Sequence, residues 1–452
     1  MCDIDTSAEF QQQFCRSVQL ASVQEVLTDQ EIEFVCRTLG YTWRDRIFPP
    51  SVTVRSMIFR SLHPNKSIRM MLKDLFALDD RLETVPAGAS WCEARSRLPQ
   101  ELWLQLLERS AERLNSLAPK QRRYHGRPVY IGDGSTLSMP DEPELVEVFG
   151  YAPTKHGPSR FPVGRITFLT HAGSQAACVY RLGPYRTGED AQLHAMWHKI
   201  PSGAIFLCDR KFSSFYNLSK LGQRDIGVIS ELHQRRDRQK LIAAGRKIGR
   251  DEWIVPLELG PQLRKQYADP SLPQELPVRL IRVRYRRGKK RCEKWLVTTL
   301  LDRKRYSRSS IVRLYRRRWG IETRIGSLKT TLEMSVLRSK TVKGIEYEVA
   351  ATVLAHNVVW TLIHQAAKKT DTAADRISFL GAIDTIVAFS PRLRMASPRD
   401  RARLYGRMLN DIGNDTNPYR PDRVEPRLVK RDTRRYGFLK VPREQARQEC
   451  LS

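Results

Sequence analysis

The stretch that decides the reading runs from Ile311 to Met334, IVRLYRRRWGIETRIGSLKTTLEM. Leu314, Ile321, Ile325, Leu328 and Leu332 recur at helical spacing, which predicts one long helix with that apolar stripe against a core. Beside the stripe stand Tyr315, Arg318, Glu322 and Lys329, a single glutamate among many arginines. At about 100° per residue these four project within roughly 60° of one another. A phenol, a guanidinium, a carboxylate and an ammonium therefore share one edge of a packed helix.

The composition says what such an edge could meet. The chain has 452 residues, too many for one compact core, so two or three domains are expected. It carries 78 Lys and Arg against 49 Asp and Glu, a net charge of +29, which calls for a polyanionic partner. A membrane surface is the competing reading, but no apolar run has transmembrane length. The opening MCDIDTSAEFQQQF lacks the apolar centre of a signal peptide. Nucleic acid is the expected partner and no membrane is involved. Eight cysteines are scattered singly, with no C-x-x-C pair, so neither a zinc ribbon nor a disulfide framework is indicated and a reducing compartment fits. His194 and His198, in EDAQLHAMWHKI, are read as one helical turn apart. With no third ligand in view they read as helix-surface residues rather than a metal site.

Organisation follows from pattern. Residues 1–118 read as a helical domain with cationic turns, including Arg95 and Arg97 in EARSRLP, suited to contacts with DNA. From 119 to 231 strands and helices mix: PVYIGDGSTLSM, GRITFLTH, AACVYRLGPY, AIFLCDRKF and DIGVISEL. That order indicates an α/β domain. Residues 232–300 (EWIVPLEL, VRLIRVRYRR, EKWLVTTLL) read as a β-rich, basic insertion. The Glu322 helix and further helices fill 301–395, and 396–452 is a basic C-terminal region whose end is expected to be extended.

Asp133 and Asp209 are each read as an acid placed where an apolar strand ends in a polar turn. Hard divalent cations take oxygen ligands, and phosphodiester chemistry often uses two such ions about 3.5–4 Å apart. Asp133, Asp209 and Glu322 together could form the protein's share of such a site. Taken singly, each aspartate also reads as a turn or cap residue, and Glu322 as a salt-bridged helix residue. The metal reading gains from the cations beside them: Arg210 next to Asp209, and Arg318 and Lys329 flanking Glu322.

The spacing Tyr315-x₂-Arg318-x₃-Glu322-x₆-Lys329 resembles the Y-R-E-K signature of the DDE transposases of bacterial insertion sequences, insertion sequence 4 family. YRRRWGIE, including Trp319, is similar to the family's local text. DGST and CDRKF look like its first and second aspartate motifs, the second departing at Lys211, where a glycine is usual. The resemblance covers nearly the whole chain. It implies a ribonuclease-H-like catalytic core interrupted by a β-rich insertion, with a helical N-terminal domain. It also implies Asp133, Asp209 and Glu322 as catalytic Mg²⁺ ligands, with Mn²⁺ as a substitute, and Tyr315, Arg318 and Lys329 as phosphate contacts. Double-stranded DNA, as inverted-repeat ends and target, would be the partner, with a homodimer in the synaptic complex. Cleavage would free a 3′-hydroxyl that attacks the opposite strand to form a hairpin, and finally target DNA. A flipped end base would stack on a tryptophan of the insertion, Trp295 or its rival Trp253. The expected location is the cytoplasm, on the nucleoid. The rival reading is a non-catalytic DNA-binding repressor derived from a transposase.

Overall fold

The computed structural model describes residues 21–418 and 448–449, except 45, 77–81, 120, 121, 156, 288 and 289. For 21, 22, 287, 290, 319–326, 329 and 330 it describes the backbone alone. The expected extended tail after 418 thus lies almost wholly outside the described residues.

Among the described residues six helices come first: α1 (Ala21–Gln24), α2 (Asp29–Thr38), α3 (Pro50–Leu62), α4 (Ile68–Phe76), α5 (Gly88–Arg97) and α6 (Gln100–Leu117). Thr28 caps α2, its hydroxyl accepting from the Glu31 N–H at 3.1 Å. On α6 the residues Leu102, Trp103, Leu106, Leu107, Ala111 and Leu114 are buried, the stripe its sequence spacing dictates.

Ten strands then form one sheet. They are β1 (Val129–Ser138), β2 (Tyr151–Thr154), β3 (Gly157–His171), β4 (Ala177–Pro184), β5 (Ile205–Cys208), β6 (Gly227–Glu231), β7 (Arg246–Gly249), β8 (Glu252–Glu258), β9 (Glu275–Arg287) and β10 (Lys290–Thr298). β4, β3 and β1 are antiparallel neighbours, β5 and β6 follow parallel to β1, and β10, β9, β8 and β7 extend the sheet antiparallel. Interspersed are α7 (Pro143–Phe149), α8 (Glu189–His194), α9 (Phe215–Gln223), α10 (Arg238–Ala244) and α11 (Pro261–Tyr267). The strands expected in the insertion therefore continue the sheet of β1, β5 and β6. β5, Ile-Phe-Leu-Cys, is buried along its whole length, as a central parallel strand must be.

After the sheet come α12 (Arg308–Gly326), a π-helical turn (Ser327–Thr331), α13 (Val342–Thr370), α14 (Phe379–Met395) and α15 (Pro398–Asn414). The sheet is covered on both faces. On one, Leu193, Phe212, Phe215, Leu218 and Leu221 pack against Phe206, Val228 and Trp295. On the other, Ile311, Leu314 and Tyr315 of α12 pack against Ile131, Ile205, Leu207 and Leu296. A third core is built around α13, whose middle, Val349 to His364, is buried on all sides. Helices α2–α6 share that core with α13, α14 and α15. Among the described residues no helix is long and apolar enough to cross a membrane.

Candidate active site

Ile131 of β1 and Leu207 of β5 are the last parallel partners between those strands. Asp133 and Asp209 each lie two residues farther on. Both aspartates thus follow the carboxyl end of the parallel pair, whose strands run about 4.8 Å apart. By strand alternation they follow Ile131 and Leu207, whose face packs on α12. Asp209 caps the short 3₁₀ turn Arg210–Phe212, its Oδ1 accepting from the Lys211 N–H at 2.7 Å. The exposed side chain of Arg210 follows directly.

Asp133 does not sit where β1 ends, as its sequence suggested. β1 runs on to Ser138 because the long β3 keeps pairing with it, Asp133 opposite Phe168 and Ser138 opposite Val163. What ends near Asp133 is the partner β5, so the acid reaches the rim on a strand that continues. The Asp133 Oδ1 accepts from the Gly134 N–H at 3.0 Å.

Tyr315 and Arg318 of α12 lie beneath the rim, only 6% and 7% exposed. The Tyr315 hydroxyl donates to the Cys208 carbonyl at 3.5 Å, one residue before Asp209. Burial pushes the phenol's pKa well up, so it stays a donor. The Arg318 guanidinium lies 5.6 Å from the centre of the Tyr315 ring. The helix continues through Trp319 and Glu322, but these side chains, and that of Lys329, lie outside the described residues. The segment is not one α-helix to Met334: the Leu332 N–H donates to the Ser327 carbonyl at 3.0 Å, a five-residue π closure. The wider turn hands the chain to the end of β1, where the Leu337 N–H donates to the Ser138 carbonyl at 2.8 Å. Lys329 sits inside that turn, so the 100° projection that aligned it with Tyr315 does not apply.

Trp295 and Trp253 are both 8% exposed, paired at 5.6 Å between ring centres on β10 and β8. Arg282 covers both indoles, at 5.6 and 5.7 Å, and Asp251 holds that guanidinium from behind. Arg238 stands over Trp295 as well, at 6.0 Å. His194 and His198 do not share a helical turn. α8 ends at His194, whose Nε2 bonds the Asn217 side-chain oxygen at 2.7 Å, and a 3₁₀ turn then carries Met196 and Ile200 into the core.

One neighbour of the rim escaped the sequence reading. Glu189, at the start of α8, packs against Gly134 and pairs with Lys211 at 3.2 Å and Arg165 at 3.5 Å. That segment drew notice for its histidines, and nothing in the spacing ties residue 189 to residue 134. Among the described residues no three His, Cys, Asp or Glu side chains group closely enough to hold a metal. The donors are nonetheless of the right kind, carboxylate oxygens for a hard cation.

The family described as transposase DDE domain matches residues 124–358, more than half of the chain, and that span contains Asp133, Asp209 and Glu322. The chain belongs to the DDE transposase family. Within it this transposase is of the bacterial insertion sequence 4 type. It is 24% identical over 395 residues to transposase InsG for insertion sequence element IS4 of Escherichia coli (strain K12), covering 86% of this chain and 87% of that one. The putative transposase InsZ of the same organism is 34% identical over 102 residues, 22% of this chain and 34% of the relative. Among solved structures, the piggyBac transposase synaptic complex with hairpin DNA aligns at a TM-score of 0.44 and 12% identity. That alignment covers 90% of this chain and 88% of that one.

Proposed function

We propose that this transposase binds the inverted-repeat ends of its own insertion element and catalyses metal-dependent cleavage and strand transfer, through a hairpin, at Asp133, Asp209 and Glu322. The observation that carries the proposal is that Asp133 and Asp209 each follow by two residues the last parallel partners, Ile131 and Leu207. The strand order, three antiparallel strands followed by two parallel ones, supports a ribonuclease-H-like core with β7–β10 as its insertion.

The two aspartates and Glu322 would hold Mg²⁺, with Mn²⁺ as a substitute. Such an ion, when bound, lowers the pKa of water and neutralises phosphate charge. The chain's own residues do the positioning. The Lys211 N–H fixes one Asp209 oxygen, and Tyr315 steadies the Cys208 carbonyl before it. Arg210, Arg318 and Lys329 supply charge for phosphate oxygens, which planar guanidinium groups can grip in pairs. In-line attack needs alignment and charge rather than a side-chain nucleophile, so no covalent protein–DNA bond is required. Cutting both ends together calls for a homodimer in the synaptic complex. The partner, double-stranded DNA, and the singly scattered cysteines favour a cytoplasmic, nucleoid-associated protein.

The test is strand nicking and hairpin formation on duplexes ending in the repeats that flank the coding region, with and without Mg²⁺. Nicking and hairpins that need the metal are expected. Tight binding without any cleavage would favour the rival reading, a repressor derived from a transposase.

A further inference from the structure

A small groove of about 40 Å³ opens where α3 and α5 meet the chain leaving the π turn. Its floor is apolar, with Met57, Trp91 and Leu337, and three arginines converge on it: Arg60, Arg95 and Arg338. Arg60 is the central one and is only half-exposed. Among the described residues its guanidinium makes no hydrogen bond and no ion pair. The carboxylate that faces it, Glu348, is already engaged: its oxygens accept from the Arg338 N–H at 3.1 Å and the Ser339 N–H at 2.9 Å. Arg95 lies 5.3 Å over the Trp91 ring, and Trp91 is itself anchored to Ser56 at 2.6 Å. Arg338 is fixed by Glu333 at 3.2 Å and by the Pro64 carbonyl. The pKa of Arg60 is held down by burial first, while Glu348 acts against this and Arg95 and Arg338 add to it. Gathering like charges around a half-buried guanidinium costs free energy that a bound anion would relieve.

We infer that this groove binds a phosphate of the DNA backbone away from the point of cleavage, gripped by Arg60, Arg95 and Arg338. The inference rests on the DNA-processing reading above and adds a contact site to it. Position favours DNA over a free anion. Ser138, which bonds the chain next to Arg338, lies five residues from Asp133 along β1, about 17 Å. That equals about five base-pair steps of 3.4 Å, so a duplex crossing the rim passes the groove within half a turn. The groove also joins the N-terminal helices to the exit of the catalytic helix, so one DNA molecule would bridge both.

The test measures duplex binding by the full chain across a salt series. Each phosphate contact contributes about 0.9 to the slope of log K against log salt. R60Q/R95Q should lower that slope by roughly 1–2 and weaken binding severalfold. R60K/R95K should retain the slope, and R399Q/R407Q, neutralised on the exposed face of α15, should retain it too. An unchanged slope in R60Q/R95Q with an unchanged melting temperature overturns the inference, as does an equal drop in R399Q/R407Q. Should R60Q/R95Q not fold, R95Q alone decides, a drop of about 0.9 supporting the site and no drop refuting it. Lack of salt-dependent DNA binding in the unmodified chain would bring down the functional reading as well. Normal binding and nicking with a silent R60Q/R95Q would remove the groove alone.

Discussion

Gly132 and Gly134 flank Asp133 for different steric reasons. A Cβ on Gly132 would lie 2.6 Å from the ring of Phe206, which is fully buried and has nowhere to go. A Cβ on Gly134 would lie 2.8 Å from the Glu189 side-chain carboxyl, a movable group. Gly132→Ala should therefore destabilise by about 1–3 kcal/mol through overpacking, read as a lower midpoint in denaturant. Gly134→Ala should cost less, because Glu189 can swing aside. At the aspartate itself the expectation is chemical. Asp133→Asn, Asp209→Asn and Glu322→Gln should each abolish nicking while binding to end DNA persists, since affinity comes from many Lys and Arg contacts. Full-rate nicking in any one of them would remove that residue from the site. At this scale the sequence was most legible in residue type at fixed spacing: DGST, CDRKF and YRRRWGIE pointed to the family whose domain matches residues 124–358. It was blind to Glu189 because a contact between residues 189 and 134 is made by folding and leaves no local pattern.

At the scale of elements, β1 and β5 owe the site to their different lengths. The apolar run of four in Ile205–Cys208 was legible as a buried strand, whereas the full reach of β1 was not, because pairing with the distant β3 sustains it past the glycines. The π turn after α12 was equally hidden: nothing in the local spacing marks where the i→i−4 ladder widens, and the chain after it is tied to Ser138. A second junction is built from buried polar groups. Ser174, at the β3–β4 turn, bonds His171 at 2.9 Å and the Asn115 side chain at 2.6 Å, and its carbonyl meets His364 of α13 at 3.0 Å. Burial, with Arg123 and His364 nearby, depresses His171 from its ordinary 6.5 to about 4. The unfolded chain therefore binds this proton first as pH falls, so stability is full above about 6.5 and declines toward 4. The loss by pH 4 should be on the order of 3 kcal/mol from His171 alone. Denaturant midpoints of the unmodified chain and His171→Asn at pH 7 and 5 check this; an identical decline in both would exonerate the histidine.

For the whole molecule, the reading of helices, then an α/β region, then strands, then helices followed the observed order, because hydrophobic period is a local property. How those parts share cores was not local and could not be read. Trp103, Leu106 and Leu107 of α6 are buried in the same core as Val353, Leu354 and Val358 of α13. A fragment of residues 1–118 lacks that cover and should show no cooperative melt by circular dichroism, whereas adding residues 338–418 in trans should restore one. A sharp transition in the lone fragment would show that the N-terminal helices suffice for their own core. The partnership also orders events during synthesis. Gln100–Leu117 leaves the ribosome more than 220 residues before Val342 begins the helix that will cover it. At about 5–20 residues per second that interval is roughly 10–45 s. Throughout it a tryptophan and several leucines wait uncovered, so a nascent chain must be shielded or risk sticking to its neighbours, and any premature stop before α13 leaves a product with no route to the native state.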